Sequence, residues 1–554
     1  MNNKSMYMGK ENCIMKRKLA AAASLVMSAV LSFAQPVMSL AVNAAETTSE
    51  SAVEIDLPAE LDLANYADQW VYYGDVETYS KGVATGEYVY AGCYALENIV
   101  YCSNPADPEV EVMVIFVPEE YVTAYATGEV NEDGAALYHV EINESGSITN
   151  SNGTTYTAET APIMYQNMID GYREGGVFEI GDGRKGASHL GYNADTVREG
   201  YVLVGCGARG TDSEVDGTAP AGIVDLKAGI RFLKANDAVL AGDSNKIIAT
   251  GGSAGGGSVC VLGATGNSPL YDSYLEEIGA IMDATDDIYC VLAYCPITNL
   301  DYVDAAYEWL HASELTYTSY SGDVTDVDAE LHYALIANYE AYLEALGFDL
   351  EEFEAGFVQA MNDSVTYYIE NYVDDVDAFV EEYSDSLTYD EDGNVVIISK
   401  DAFIEANMAR AKNAPASDSL DADSNESALF DDMHFSINTM TVLQELGYTE
   451  EAAEYAADLT TEQLDTVTLL SPLTFLAYDD ILESDVAPFW HINNGTADQD
   501  FGSVAGYTIV SYLNMTGQAV AAEYNFVWGM GHGTAELALS DIIEYVDSIV
   551  FYAE

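Results

Sequence analysis

Lys246-Ile247-Ile248-Ala249-Thr250-Gly251-Gly252-Ser253-Ala254-Gly255-Gly256-Gly257 is the stretch that decides the fold. Its first five residues read as a short buried strand. Residues 258–263, which follow, are small and compatible with a helix. Strand, Gly-x-Ser-x-Gly, helix is the context of a nucleophile elbow. The glycines let the chain turn sharply and let neighbouring backbones approach closely. Such a turn presents Ser253 at a strand end with a helix N-terminus beneath it. A glycine-rich loop with an ordinary serine is the other reading that this stretch alone leaves open.

The text around it alternates between strand and helix. Residues 110–117, 161–165, 201–205, 287–294, 488–492 and 523–528 read as strands. Residues 221–235 form an amphipathic helix with Ile223, Leu226, Ile230 and Leu233 on one side. Residues 506–513 and 534–551 are further helices. Alternation of this kind predicts an α/β fold, a mostly parallel sheet with helices on both faces. Residues 127–160, rich in Asn, Gly, Ser and Thr, read as surface loops. From 299 to 468 the pattern becomes acidic and helical (331–346, 350–372, 400–411, 433–446), with one hairpin turn at 390–394. It reads as a large helical insertion. The expected organisation is therefore a signal segment over 1–45, a core over 46–298, the insertion over 299–468, and the rest of the core over 469–554.

Composition narrows the function classes. The chain of 554 residues carries 93 acidic against 18 basic side chains. Such a surface repels nucleic acid and anionic membranes. Lys16-Arg17-Lys18, the apolar run 19–33 and the small residues Val42-Asn43-Ala44-Ala45 form a signal peptide, so the protein is expected to be secreted, with no membrane association after cleavage. Cations are scarce enough for their positions to inform: none lies between Ile247 and Ser399, and none after Lys412. Lys412 is either half of a structural ion pair or a binding residue. Cys93 and Cys102 are the most plausible disulfide pair. No Cys/His cluster has zinc spacing, and Asp212-Ser213-Glu214-Val215-Asp216-Gly217 lacks the closing glutamate of a calcium loop. Neither a metal nor a cofactor is expected.

A serine hydroxyl needs a base to take its proton, and an imidazole oriented by a carboxylate is the usual one. His532 lies among glycines just after the last strand, and Asp498 and Asp500 lie just after the strand before it. Ser253, Asp498 and His532 thus fall at strand ends in the order serine, acid, histidine. The remaining histidines (139, 189, 311, 332, 434 and 491) lack such a setting and read as structural or surface residues, except that His189, in the glycine-rich loop after Asp170-Gly171-Tyr172, is a candidate to line the site.

The chain resembles the bacterial tannase family, α/β-hydrolases that cleave gallate esters. The resemblance runs through Ala161-Pro162-Ile163, Asn167 and Gly171-Tyr172, and through Gly207-Ala208-Arg209-Gly210. It continues through Ala219-Pro220-Ala221-Gly222-Ile223, the elbow, Ala293-Tyr294-Cys295-Pro296-Ile297, and Ala414-Pro415-Ala416 with Asp418. It implies an α/β-hydrolase fold with a lid and a catalytic triad of Ser253, Asp498 and His532. It also implies an oxyanion hole from the backbone N–H groups of Ala254 and Gly171. Lys412, Glu426 and Asp500 would bind the phenolic hydroxyls of a small ester substrate. The segment Trp490-His491-Ile492-Asn493-Asn494-Gly495 departs from the family pattern, as do residues 533–535, Asp170 and Ser417, and these changes bear on pocket shape. The alternatives kept open are a feruloyl, acetyl or general carboxylesterase, and an inactive secreted binding protein on a hydrolase scaffold.

Overall fold

The computed structural model describes residues 55, 57–80, 83–181, 193–319, 322–421, 424–478, 482–532 and 539–552. The expected signal segment, His189 and residues 534–538, which begin the last expected helix, lie outside the described residues. The chain divides into two compact units. One comprises Ile55–Thr298, Leu469–Gly495 and Gly506–Glu554; the other holds Asn299–Thr468 and Thr496–Ala505.

The first unit is built on a sheet of eleven strands. They are β1 (Trp70–Ser80), β2 (Val83–Val100), β3 (Val112–Pro118), β4 (Val122–Val130), β5 (Ala136–Ile142) and β6 (Pro162–Asn167). The rest are β7 (Val202–Cys206), β8 (Asp243–Gly252), β9 (Cys290–Tyr294), β10 (Phe489–Gly495) and β11 (Ala521–Val527). Their spatial order is β11-β10-β9-β8-β6-β7-β3-β2-β1-β5-β4. From β11 to β7 all neighbours run parallel, with Ile248 beside Met164 on one side and Cys290 on the other. From β7 to β4 every pairing is antiparallel. This is the α/β-hydrolase arrangement. Every residue of β3, β6, β7, β9 and β10 is buried, which explains the near-continuous apolar text of β3, β7 and β9. Helix Ala254–Ala264 packs on β8 and β9.

Two expectations are corrected here. Residues 127–160 are largely strand: they hold the end of β4, all of β5, and a hairpin of Ser147–Thr149 with Thr155–Thr157. Along β4 only Val122 is buried. A strand wet on both faces has no alternation to read. The thiols of Cys93 and Cys102 are both free and buried. Cys93 lies within β2 and Cys102 just past its end. At a rise of about 3.3 Å per residue, the seven residues of β2 after Cys93 span about 20 Å, and the two residues to Cys102 cannot return it to within disulfide reach.

The second unit is helical. Its main elements are Val303–Leu310, Ala329–Ala345, Leu350–Tyr372, Lys400–Asn407 and Ile437–Leu446, with two short hairpins. Asp328, Asp349, Ser399 and Ser436 each cap the following helix through a side-chain oxygen, so the termini are set by local sequence. Trp309 packs edge-on against Phe353 and Phe357. Among the described residues, no helix is long and apolar enough to cross a membrane.

Candidate active site

β8 ends at Gly252, and helix Ala254–Ala264 begins two residues later. Ser253, between them, has φ 55° and ψ −126°. That backbone costs a residue with a side chain about 1–3 kcal/mol and persists only where its surroundings over-determine it. They do so here. The Ser253 N–H donates to the Tyr294 carbonyl at 2.9 Å, and its own carbonyl accepts from Gly257 at 2.9 Å and Ile297 at 3.0 Å. Small residues make that possible. A Cβ on Gly257 would stand 1.9 Å from the Ile297 carbonyl oxygen, and one on Gly251 would stand 2.5 Å from that of Gly255.

The Ser253 hydroxyl lies 2.8 Å from Nε2 of His532. With the ring proton on Nδ1, the hydroxyl donates and Nε2 accepts, the geometry a base needs to take the proton. His532 follows β11 by a short turn. That turn lies backbone to backbone against the end of β10: a Cβ on Gly495 would stand 1.9 Å from the Met530 carbonyl oxygen.

Ala254 is the first residue of its helix, where helix geometry leaves N–H groups without an intrahelical acceptor. Gly171 sits in the turn after β6, the parallel neighbour of β8, and both it and Tyr172 have positive φ, 59° and 58°. The Tyr172 hydroxyl donates to the Ile297 carbonyl at 2.8 Å. Asn167, at the end of β6, donates to the Gly255 carbonyl at 3.3 Å and accepts from Ile169 N–H. The turn at 168–172 is therefore tied to the elbow at both ends.

Beneath the elbow helix lies a buried ion cluster. Lys227 donates to the Thr265 carbonyl at 2.6 Å and to Asp286 at 2.7 Å, and Arg231 donates to the other Asp286 oxygen. Burial opposes ionisation of Asp286, but Lys227 and Arg231 outweigh it and hold the carboxyl below the usual range.

The other named residues belong to the helical unit. Asp498 is fully buried, and one of its oxygens accepts the Asp500 N–H at 2.9 Å. Lys412 Nζ lies 2.5 Å from Asp500, and 4.1 Å above the centre of the Phe501 ring. Glu426 is buried in the first turn of helix Asn425–Leu429. Three pairings among the sequence-predicted residues are thus explicit, Ser253 with His532, Lys412 with Asp500, and Asp500 with Asp498.

Five other histidines pair with carboxylates: His139 with Asp68, His311 with Glu314, His332 with Glu308, His434 with Asp418, and His491 with Glu523. Sequence reasoning missed the supporting residues. Asn167 was noticed as shared text without a role, and Tyr172 likewise. Arg410 was overlooked although the scarcity of cations marked it as plainly as Lys412.

A family model described as BD-FAE matches residues 173–331. No curated protein matches the chain. The chain is similar to the crystal structure of tannase from Lactobacillus plantarum, at 25% identity and a TM-score of 0.68, over 88% of this chain and 99% of that one. It is similar to Fusobacterium nucleatum tannase at 26% identity and a TM-score of 0.66, over 86% and 98%. A tannin acyl hydrolase solved in complex with 3,4-dihydroxybenzoate matches at 25% identity and a TM-score of 0.67, over 88% and 98%.

Proposed function

We propose that this chain, a tannase-like α/β-hydrolase of the ester-hydrolase class, cleaves esters of hydroxylated aromatic acids through an acyl-enzyme on Ser253. The acyl groups it takes first are gallate and protocatechuate. The observation that carries the reading is the 2.8 Å approach of His532 to a strained, over-determined Ser253.

In this reading His532 takes the Ser253 proton as the hydroxyl attacks the ester carbonyl. The carbonyl oxygen gains negative charge, and the N–H groups of Ala254 and Gly171 stabilise it. His532 returns the proton to the leaving alcohol. Water repeats the cycle and releases the acid. Asp498 is assigned the orienting carboxylate, on chain order and burial. Lys412, Glu426 and Asp500 are assigned to the ring hydroxyls. An ammonium with two carboxylates supplies both donors and acceptors to adjacent phenols, and a site built that way penalises substrates lacking them. The dihydroxybenzoate held by a similar hydrolase supports this acyl class. The helical segment 299–468 is assigned the part of a lid. The N-terminal segment assigns the mature enzyme to the outside of the cell.

Purified wild type and Ser253→Ala are compared on methyl gallate. Turnover by wild type and none by the variant is expected; activity surviving the substitution rejects the triad. A feruloyl esterase is the second reading, favoured by the BD-FAE match. A higher kcat/KM on methyl ferulate than on methyl gallate would select it. Labelling of Ser253 by a fluorophosphonate excludes an inert scaffold.

A further inference from the structure

Residues 409–412 carry no regular secondary structure, yet their backbone is held at six groups. The Ala409 carbonyl accepts from Gln499 Nε2 at 2.9 Å. The Arg410 N–H donates to Glu314 at 3.0 Å, and its carbonyl accepts from Thr318 N–H at 3.3 Å. The N–H groups of Ala411 and Lys412 both donate to the Tyr307 hydroxyl, at 3.1 and 3.2 Å. The Lys412 carbonyl accepts from Arg410 Nε at 2.8 Å. The rest of the Arg410 guanidinium is spent on Glu308, with Nη1 at 2.7 Å from one carboxylate oxygen and Nη2 at 2.5 Å from the other. Both side chains are buried, and the guanidinium lies 5.3 Å over the Tyr307 ring. Tyr307 and Glu308 share one helix, Val303–Leu310.

A surface loop does not need this. A lysine side chain has four rotatable carbons and loses much rotamer freedom when fixed. Fixing its backbone removes the larger part of the remaining positional uncertainty. The fork of Arg410 on Glu308 is rigid and planar, and its third nitrogen fixes the Lys412 carbonyl. What this frame holds in place is an ammonium paired with Asp500.

We propose that Tyr307, Glu308 and Arg410 are positioning residues for Lys412, a buried platform that sets its ammonium against Asp500 and so governs recognition of substrate ring hydroxyls. The proposal rests on Lys412 being a hydroxyl-binding residue. Tyr307→Phe removes the shared acceptor and leaves the buried ion pair intact, so it is the variant that tests position without threatening the fold. Glu308→Gln weakens the fork.

Wild type, Tyr307→Phe, Glu308→Gln, Lys412→Ala and the double variant Tyr307→Phe/Lys412→Ala are assayed on methyl gallate and on p-nitrophenyl acetate, which has no ring hydroxyl on its acyl group. The ratio of kcat/KM for gallate over acetate falls about tenfold in Tyr307→Phe, through KM, and by at least as much in Lys412→Ala. The double variant falls no further than Lys412→Ala alone, since both act on one contact. A ratio lowered by Lys412→Ala but unchanged in Tyr307→Phe and Glu308→Gln overturns the positioning proposal alone, as does a full additional loss in the double variant. A ratio unchanged in Lys412→Ala overturns the hydroxyl-binding reading, and the platform falls with it.

Discussion

The hydroxyl of Tyr172 donates to the carbonyl of Ile297 at 2.8 Å, while the N–H of Ile297 donates to the carbonyl of Ser253 at 3.0 Å. Ile297 thus stands between the turn that bears Gly171 and the serine itself. One residue links the elbow to the loop opposite through two hydrogen bonds. The positive φ of Tyr172 shows that this side chain is held in place at a conformational cost.

Tyr172→Phe therefore keeps the ring and deletes the tether. The change removes a single buried hydrogen bond, which costs stability about 1 kcal/mol. In the proposed mechanism its effect on catalysis is larger, because a Gly171 N–H displaced by a fraction of an ångström loses its aim at the oxyanion. kcat on p-nitrophenyl acetate is expected to fall about tenfold with KM little changed. Stopped-flow acylation rates measure it; a wild-type acylation rate would show that the turn at 168–172 keeps its place without this bond.

Gly495→Ala tests how the histidine is placed. The new Cβ would stand 1.9 Å from the Met530 carbonyl oxygen and 2.5 Å from its carbon, and neither is a flexible side-chain end. The turn carrying His532 has to move away from β10. A shift of about 1 Å costs about a hundredfold in rate, so fluorophosphonate labelling of Ser253 should slow by about that factor. The unfolding free energy from urea titration should drop by the amount typical of an overpacked site, about 1–3 kcal/mol. Labelling at the wild-type rate would show that His532 is placed by other contacts.

Lys227→Met separates support from chemistry. Lys227 is fully buried, lies 4.6 Å over the Tyr271 ring, and bonds the carbonyl of Thr265 just past the elbow helix. Its loss leaves Asp286 with Arg231 and strips the Thr265 carbonyl of a charged donor. Breaking one arm of a buried pair costs about 3–5 kcal/mol. The expected result is a lower unfolding midpoint with the specific activity of titrated active sites close to wild type. A fall in that specific activity without loss of stability would contradict it.

The central parallel strands β6, β7, β8 and β9 were legible because they are largely buried and each carries a run of apolar residues. Helix Ala221–Ala235 and helix Leu350–Tyr372 were read to their ends, since one carries a clear apolar stripe and the other opens on an Asp cap. β4 and β5 were not, because β4 is exposed on both sides and β5 is half-buried nearly throughout, and neither leaves a period. The pairing of Ser253 with His532 was legible as chain order, which topology turns into proximity. Glu308 for Arg410, Thr265 for Lys227 and Ile297 for Tyr172 lie 38 to 125 residues away in sequence, and no local pattern announces a contact of that span. Asn167 shows the intermediate case. Its text was conspicuous, but its work on the elbow carbonyls is visible only once β6 stands beside β8.

Asp304 makes the stability of the helical unit depend on pH. Its carboxyl is buried, and its oxygens accept from the backbone N–H groups of Ser417 and Asp418. Burial first, and the nearby Asp418 carboxylate second, push its pKa up from 3.8 to about 7. The folded value lies above the unfolded one, so the folded state binds the proton more tightly. The resulting stability is fully present below pH 3.8 and is lost as pH rises through about 7. A shift of about three units corresponds to about 4 kcal/mol across that window. Asp418 is raised as well, again by burial, and contributes with the same sign. Urea midpoints measured from pH 4 to pH 8 should therefore decline for wild type more steeply than for Asp304→Asn, whose amide stays neutral throughout. If the two proteins show the same slope, Asp304 is ionised in the folded state at neutral pH and its backbone donors outweigh burial.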